Sequence, residues 1–126
     1  MHTSDCERCG AAWREVQAAR TYLHDHIGDD VSLGSLARVV GLSPFHLARE
    51  FRREVGMPPH RYLTWLRMER ARALLERSNL PVTEICRIVG FGTLSHFGST
   101  FRRHVGTSPS EYRRRTRRNP IDRAAS

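Results

Sequence analysis

Hydrophobic residues recur at helical spacing in two stretches that are separated by a glycine and a short polar turn. The first stretch lines one helical face with four apolar residues, Leu33, Leu36, Ala37 and Val40. Gly41 follows as a residue that can end a helix at positive φ, and Ser43-Pro44 supplies an N-cap and a first helical residue. The second stretch has a three-residue inner face, Leu47, Phe51 and Val55. The pattern predicts two short helices joined by a tight turn, as in a helix-turn-helix.

The same pattern occurs again about fifty residues later in the chain. Residues 33–42 match 82–91 at an offset of 49, whereas residues 46–62 match 96–112 at an offset of 50. The extra residue of the second copy, Gly92 or Thr93, falls in the turn, where insertions are tolerated. The helices of this copy keep their apolar positions, Ile85, Cys86, Val89, Phe97, Phe101 and Val105. Two copies indicate a duplicated module rather than a longer repeat array.

Helical patterns also cover residues 11–27 and 59–77, and Ser108-Pro109-Ser110-Glu111 is a capping box for a short closing helix. The sequence therefore predicts an all-α fold of about seven helices, with two helix-turn-helix subdomains joined by a long linker helix. The expected organisation is an N-terminal tail at residues 1–10, a first subdomain at 11–57, the linker helix at 58–78, a second subdomain at 79–115 and a basic flexible tail at 116–126. The linker would be roughly 28 Å long, close to the roughly 34 Å of one turn of B-DNA.

Charge is distributed unevenly along the chain. The net charge is +8, of which residues 1–30 contribute −3 and residues 31–126 contribute +11. The basic residues, histidine aside, are all arginine, whose planar fork suits both phosphate and guanine. The excess favours a polyanionic partner, because each neutralised phosphate releases condensed counterions. Charge alone would also fit RNA, an acidic membrane or an acidic protein.

The second helix of each copy presents a polar face on the side opposite its apolar stripe. With Leu47 and Phe51 inward, steps of about 100° per residue place Arg49 directly outward. The same projection places Ser99 outward in the second copy. We expect base contacts from these faces, at Phe45, His46, Arg49, Ser95, His96 and Ser99. We expect phosphate contacts from the turn and flanking residues, at Ser43, Arg52, Arg53, Thr93, Arg102 and Arg103.

Several of these residues have a purely structural interpretation that the sequence leaves open. Phe45 could pack at the rim of the core against Val39 or Leu42, and the two matched histidines could serve packing or capping. Glu50 and Glu54 are expected to be solvated and could pair with arginine. The arginines from 113 to 118 could attract phosphate non-specifically or form a solvated tail.

The duplicated pattern resembles the AraC/XylS family of bacterial transcription factors over roughly residues 13–115. In the second copy and its exit, the resemblance is carried by Gly90-Phe91, Ser95-His96-Phe97, Phe101-Arg102-Arg103, Gly106, Ser108-Pro109 and Tyr112-Arg113. In the first copy and the linker it is carried by Leu36-Ala37, Gly41-Leu42-Ser43, Leu47, Phe51, Tyr62-Leu63, Arg67, Ala71 and Leu74-Leu75.

The resemblance implies two recognition helices in adjacent major-groove segments of promoter DNA, with activation through contact with RNA polymerase. Family positions that contact bases match Phe45, Ala48 and Arg49, so the resemblance adds Ala48 to the geometric set. The chain departs from the family at Ser99, where arginine is frequent. Because serine cannot supply an arginine fork, we expect base discrimination to be weighted towards the first unit.

Most family members join this domain to a ligand-binding or dimerising domain. Since only about ten residues precede the first predicted helix and the chain begins at Met1, the sequence favours a single-domain member that binds an asymmetric site as a monomer. A fragment excised from a larger regulator remains the alternative. With no long apolar run, a cytoplasmic, nucleoid-associated protein is expected rather than a membrane protein.

Neither a cofactor nor a metal is expected. Cys6-x-x-Cys9 has metal-ligand spacing, and His2, His24 or His26 could complete a site, but no second pair follows. Thiols without a metal are therefore favoured over redox or metal sensing. The sequence has no catalytic motif, so an enzyme is not expected. A protein-interaction module and a non-specific architectural DNA binder remain as alternatives to a regulator.

Overall fold

The computed structural model describes the backbone of residues 2–118 and the side chains of residues 13–117. Those residues contain no strand and form seven helices: α1 His2–Asp25, α2 Leu33–Val40, α3 Pro44–Val55, α4 Pro59–Arg77, α5 Val82–Ile88, α6 Leu94–Val105 and α7 Pro109–Arg118. The predicted all-α fold of about seven helices is confirmed. The side chains of Cys6 and Cys9, and the tail from residue 119, lie outside the described residues.

Two helix boundaries differ from the sequence-based expectation. Helix α1 begins at His2 rather than at Ala11, and α7 continues to Arg118, three residues into the segment 116–126 that was expected to be a flexible tail. Helix α4 covers the residues 59–77 that the helical pattern indicated. The chain forms two compact units, Met1–Thr64 and Trp65–Ser126, and the boundary between them falls within α4.

The first unit is built on α1, α2, α3 and the start of α4. Its core consists of fully or nearly buried apolar side chains, Val16, Ala19, Leu23, Leu36, Ala37, Leu47, Phe51, Tyr62 and Leu63. Burying large side chains such as Phe51 removes apolar surface from water, at about 25 cal/mol per Å². Leu36 and Ala37 of the predicted α2 face, and Leu47 and Phe51 of the predicted α3 face, therefore lie in the core. Leu33, at the first position of α2, is 39% exposed instead, and Val40 and Val55 at the helix ends are half-buried.

The second unit has a corresponding core on α4, α5, α6 and α7. Its buried cluster consists of Met68, Ala71, Leu75, Ile85, Cys86, Val89, Phe97 and Phe101, with Phe91, Val105 and Tyr112 packed against it. Cys86, one of the predicted apolar positions, is a buried free thiol. Its Sγ lies 3.6 Å from the carbonyl oxygen of Phe91 and 3.5 Å from that of Thr93, so the thiol bonds to the turn before α6. Burial raises the pKa of this thiol.

A tyrosine in each unit joins the core to an arginine. In the first unit, the Tyr62 ring packs edge-on against Phe51, with centroids 5.5 Å apart. Its hydroxyl accepts from Arg20 Nε at 3.4 Å and lies 3.1 Å from His24 Nε2. The guanidinium of Arg20 also stands 5.5 Å from the centre of the ring, within the range of a cation–π contact.

The second unit repeats this arrangement. Tyr112 packs edge-on against Phe101 at 5.7 Å, and its hydroxyl accepts from Arg72 Nε at 3.3 Å. The same hydroxyl donates to Glu76. The hydrogen bond to Tyr112 raises the pKa of Arg72, and burial raises the pKa of Tyr112, with the bond to Glu76 adding to the effect. The duplication therefore includes the helix that precedes each helix-turn-helix as well as the motif itself.

Candidate nucleic-acid interface

Capping residues fix both ends of each interhelical turn. Ser43 Oγ accepts from the backbone N–H of His46 at 3.1 Å, and Thr93 Oγ1 accepts from that of His96 at the same distance. At the end of α2, Gly41 has φ +80° and its N–H donates to the carbonyl of Ala37. The N-cap predicted at Ser43 is confirmed, and Thr93 has the same role in the second unit. Because each cap oxygen already accepts a backbone bond, a phosphate could be bound through hydroxyl donation.

Helix α3 presents an aromatic and cationic face to solvent. Phe45 is 74% exposed, and the Arg49 side chain is 66% exposed. The Arg49 guanidinium carbon lies 6.0 Å from the Phe45 ring centroid, so the two side chains form one outward surface. The alternative that Phe45 packs at the rim of the core is wrong, since most of the ring is solvated. His46, Arg52 and Arg53 are also exposed.

Glu50 departs from the expectation of a solvated side chain. Its side chain is only 8% exposed, and its two carboxylate oxygens face different arginines of the same helix. Oε2 lies 3.6 Å from Arg49 Nε, and Oε1 lies 3.7 Å from Arg53 Nη1. The expectation was wrong because steps of about 100° per residue place position 50 beside Leu47, at the edge of the apolar stripe rather than on the outward face. The pairing with arginine that the sequence left open is observed. Glu54, by contrast, is exposed as expected.

Ala48 lies beside the outward face rather than at its centre. It is half-buried and lines an apolar cleft of about 330 Å³ together with residues of α1, α2 and α4, among them Leu23, Leu36, Pro59 and Leu63. The projection placed this residue away from the outward direction, whereas the family resemblance included it. Its contact with bases stays a prediction.

The outward face of helix α6 has smaller central side chains than that of α3, namely Ser95, Gly98 and Ser99. Leu94, Ser95, Gly98, Ser99, Arg102, Arg103 and Ser108 line a shallow, open depression. Ser95, Ser99, Arg102 and Arg103 are exposed, as predicted. Ser99 Oγ donates to the carbonyl of His96 at 3.3 Å, so its hydroxyl is directed along its own helix. The arginines at the end of α6 supply the charge of this face.

The two matched histidines have different surroundings. His96 is exposed, yet its ring packs edge-on against Phe91 at 5.1 Å. Phe91 in turn packs against Phe97, with ring centroids 5.5 Å apart. His46 is exposed at the corresponding position of α3. The contact with Phe91 therefore orients the His96 ring while the side chain stays exposed, so that it can still contact a base.

Two arginines of α7 have a structural role that sequence reasoning missed. Arg113 donates from Nε to the carbonyl of Leu75 at 3.2 Å and from Nη2 to that of Ser78 at 3.1 Å. Arg117 donates to Ser78 O and, over 2.7 Å, to Asn79 Oδ1. The Leu75 carbonyl lies in the last turn of α4, where it lacks a helical partner, and Ser78 directly follows that helix. Arg113 and Arg117 are therefore bonded to the protein rather than freely solvated, and non-specific phosphate attraction by the arginines of α7 stays a prediction.

The neighbouring arginines of α7 pair with an acidic residue of the same helix. Arg115 Nε lies 3.2 Å from Glu111 Oε2, and Arg114 bonds to the other carboxylate oxygen. Arg114 lowers the pKa of Glu111, with Arg115 adding to the effect. Both arginines are more than 60% exposed, so these pairs contribute little to stability.

Within the described residues, no helix combines the length and apolarity that crossing a bilayer requires. Among the side chains of residues 13–117, no group of three histidine, cysteine or acidic residues could hold a metal ion. The described surface offers exposed arginine, serine and histidine side chains together with exposed aromatic rings, of which Phe45 is 74%, Trp13 52% and Trp65 41% exposed.

Comparison with known proteins agrees with this description of the fold. A helix-turn-helix domain family model matches residues 36–115, more than half of the chain. The chain is 40% identical over 92 residues to the HTH-type transcriptional activator RhaS of Enterobacter sp. (strain 638), an alignment that covers 73% of this chain and 33% of RhaS. The chain thus spans about a third of the length of that relative.

Solved structures show the same fold. An AraC-type transcriptional regulator from Chromobacterium violaceum superposes with a TM-score of 0.78 at 30% identity, covering 85% of this chain and 96% of that one. The DNA-binding domain of the global transcriptional factor AdpA, solved in complex with a target DNA, has a TM-score of 0.77 at 30% identity, covering 82% and 95%.

Two capped helix-turn-helix units, each with an arginine-bearing second helix, define a double helix-turn-helix DNA-binding domain. The chain belongs to the AraC/XylS family. That family consists of DNA-binding domains of transcription regulators, which are not typically enzymes.

Proposed function

We propose that this chain binds double-stranded promoter DNA sequence-specifically by inserting α3 and α6 into adjacent major-groove segments, and that it activates transcription. The exposed surface of Phe45 and Arg49 is the observation that carries the proposal. A solvated phenylalanine and an adjacent arginine are suited to a thymine methyl group and to guanine O6/N7, respectively. Neither side chain contributes to the core of the first unit.

The exposed residues on either side of this surface would fix the position of the helices on the duplex. Arg52 and Arg53 on α3, and Arg102 and Arg103 on α6, are placed to contact phosphates, together with the capping hydroxyls of Ser43 and Thr93. His46 and His96 would reach base edges from the first turns of their helices. Phosphate contacts give register without sequence information, so these residues support affinity more than specificity.

The second helix-turn-helix would contribute less base discrimination than the first. Ser95 and Ser99 can each make single hydrogen bonds to bases, but neither can reproduce the bidentate contact of Arg49. The small side chains around Gly98 would allow close approach to the duplex, where shape readout could contribute. Ala48 would contact a base beside the Arg49 position.

The proposed partners follow from the relatives. RhaS carries the description of an activator, which supports activation over repression and a contact with RNA polymerase. We propose that the chain acts as a monomer on an asymmetric site, at the nucleoid in the cytoplasm.

Selection from a random duplex library with the purified full chain tests the proposal. The selected site should bind at least about 10³-fold more tightly than unrelated DNA at the same salt concentration. Arg49→Ala should remove most of the preference at one base pair. Arg14→Ala, which deletes an exposed arginine of α1, serves as the control for the loss of one charge and should retain that preference.

Two results would argue against the proposal. A ratio below about 10³, with no recovered motif, would favour a non-specific architectural binder. If Arg49→Ala weakened binding to all DNA sequences equally, Arg49 would contact a phosphate instead of a base.

A further inference from the structure

A buried carboxylate lies on helix α3 of the first unit. Glu50 is the one charged side chain that is buried among residues 13–117, and it pairs with two arginines of the proposed DNA-contacting face. Its oxygens face Arg49 Nε at 3.6 Å and Arg53 Nη1 at 3.7 Å, while those two arginine side chains remain 66% and 54% exposed. A buried charge is therefore paired with two charges that extend into solvent.

A contribution to stability does not readily account for this carboxylate. Removing a carboxylate from water carries a desolvation cost that an ion pair of moderate geometry does not fully recover. The corresponding residue of the second unit, Thr100, is also buried and is neutral. A small uncharged side chain can thus occupy this place in the duplicated fold. Glu50 is charged in the first unit, where the outward residue is Arg49. In the second unit the matched residue Thr100 is neutral, and the outward residue is Ser99.

The geometry of the Arg49 pair leaves its guanine-binding atoms available. Arg49 faces the carboxylate through Nε, on the edge of the guanidinium. Both Nη groups remain at the far end of the fork, where they could donate together to guanine O6 and N7. An arginine side chain otherwise loses rotamer freedom on binding, and an ion pair formed beforehand reduces that loss.

We propose that Glu50 is a positioning residue that orients Arg49 for guanine readout and restrains Arg49 and Arg53 from binding phosphate indiscriminately. This inference rests on the proposed DNA-binding function. The carboxylate adds negative charge beside both arginines, so it opposes an approaching phosphate on any sequence. A guanine edge that accepts from the oriented Nη groups compensates for this repulsion, whereas non-specific DNA does not.

The test compares Glu50→Gln with Glu54→Gln in the full chain. Both changes remove one negative charge from α3, but Glu54 is exposed. The measured quantity is the ratio of affinities for the selected site and for the same site with the Arg49-dependent guanine replaced. A bidentate arginine–guanine contact corresponds to a ratio of roughly 5 to 150.

We expect Glu50→Gln to lower that ratio by about threefold or more while affinity for unrelated DNA stays the same or rises. Glu54→Gln should shift affinity for both duplexes equally. In an Arg49→Ala background, Glu50→Gln should cause no further loss of the ratio, because there is no arginine left to orient. Glu50→Thr introduces the residue found at the matched position of the second unit, Thr100, and should lower the ratio as Glu50→Gln does. It replaces Glu50→Gln in the test if that variant has a reduced folded fraction.

Equal ratios in Glu50→Gln and Glu54→Gln would overturn the inference, as would a loss of the ratio that persists without Arg49. A lower thermal midpoint with an unchanged ratio would assign Glu50 to stability alone and would also overturn it. These outcomes are distinct from failure of the proposed function, in which the unsubstituted chain itself shows no preference between the selected duplex and unrelated DNA.

Discussion

Arg113 donates from Nε to the carbonyl oxygen of Leu75 at a distance of 3.2 Å, although the two residues are 38 positions apart in the chain. Its Nη2 donates to the carbonyl of Ser78 as well. The side chain of α7 thus completes the hydrogen bonding of the last turn of α4. Burial lowers the pKa of Arg113, and the nearby charge of Arg117 adds to this shift.

Arg113→Ala should therefore destabilise the second unit. Loss of a charged donor to two helix-end carbonyls is expected to cost about 1–3 kcal/mol in the free energy of unfolding. Arg114→Ala removes the same charge from a neighbouring exposed position and should change that free energy by less than about 0.5 kcal/mol. Urea denaturation of both variants measures the difference. Equal stabilities would show that Arg113 does not support α4.

The exposed ring of Phe45 should contribute to DNA affinity and not to the free energy of unfolding. Because the ring is 74% exposed, Phe45→Ala should alter the free energy of unfolding by less than about 0.5 kcal/mol. Loss of apolar contact with a thymine methyl should weaken binding to the selected site by roughly fivefold. Binding and thermal denaturation are measured on the same preparation.

Phe51→Ala is the matched comparison for this substitution. Phe51 is fully buried on the opposite side of the same helix, so its truncation should cost about 3–5 kcal/mol of stability. If Phe45→Ala destabilised the protein to a similar extent, its ring would have to pack in the core in solution, contrary to the structure.

Sequence patterns predicted most helices because local residues determine where they end. Ser43 and Thr93 accept backbone hydrogen bonds from residues three positions later, and Gly41 takes up the positive φ that ends α2. Such interactions lie within a few residues of one another, so spacing and residue type are sufficient to identify them. The outward direction of Arg49 followed from the helical repeat in the same way.

Contacts between distant residues could not be predicted by these means. The bond from Arg113 to Leu75 joins α7 to the last turn of α4 across 38 positions of the chain, and no local pattern at either residue indicates it. The paired arrangement of Arg20 with Tyr62 and Arg72 with Tyr112 was also missed, because α1 and α4 share little sequence. A signal was present, since both tyrosines are matched in the repeat.

The buried thiol of Cys86 makes stability depend on pH in the alkaline range. Burial raises its pKa above the ordinary value of 9.0, so the folded state retains the proton where the unfolded chain loses it. Its contribution is complete below about pH 9 and is lost as pH rises through the folded-state pKa. The unfolding free energy of Cys86→Ala should therefore fall less steeply with pH above 9 than that of the unsubstituted chain, as measured by urea denaturation. Parallel pH profiles would contradict this assignment.

We expect α3 and α6 to enter successive major-groove segments on one side of a duplex. Methylation interference at guanine N7, performed on a selected site that contains guanines in both halves, measures this arrangement. Two clusters of interfering guanines should appear about 10–10.5 base pairs apart, and Arg49→Ala should remove interference in one cluster alone. A single cluster, or two clusters half a turn out of phase, would show that the two helices do not enter the groove in this way.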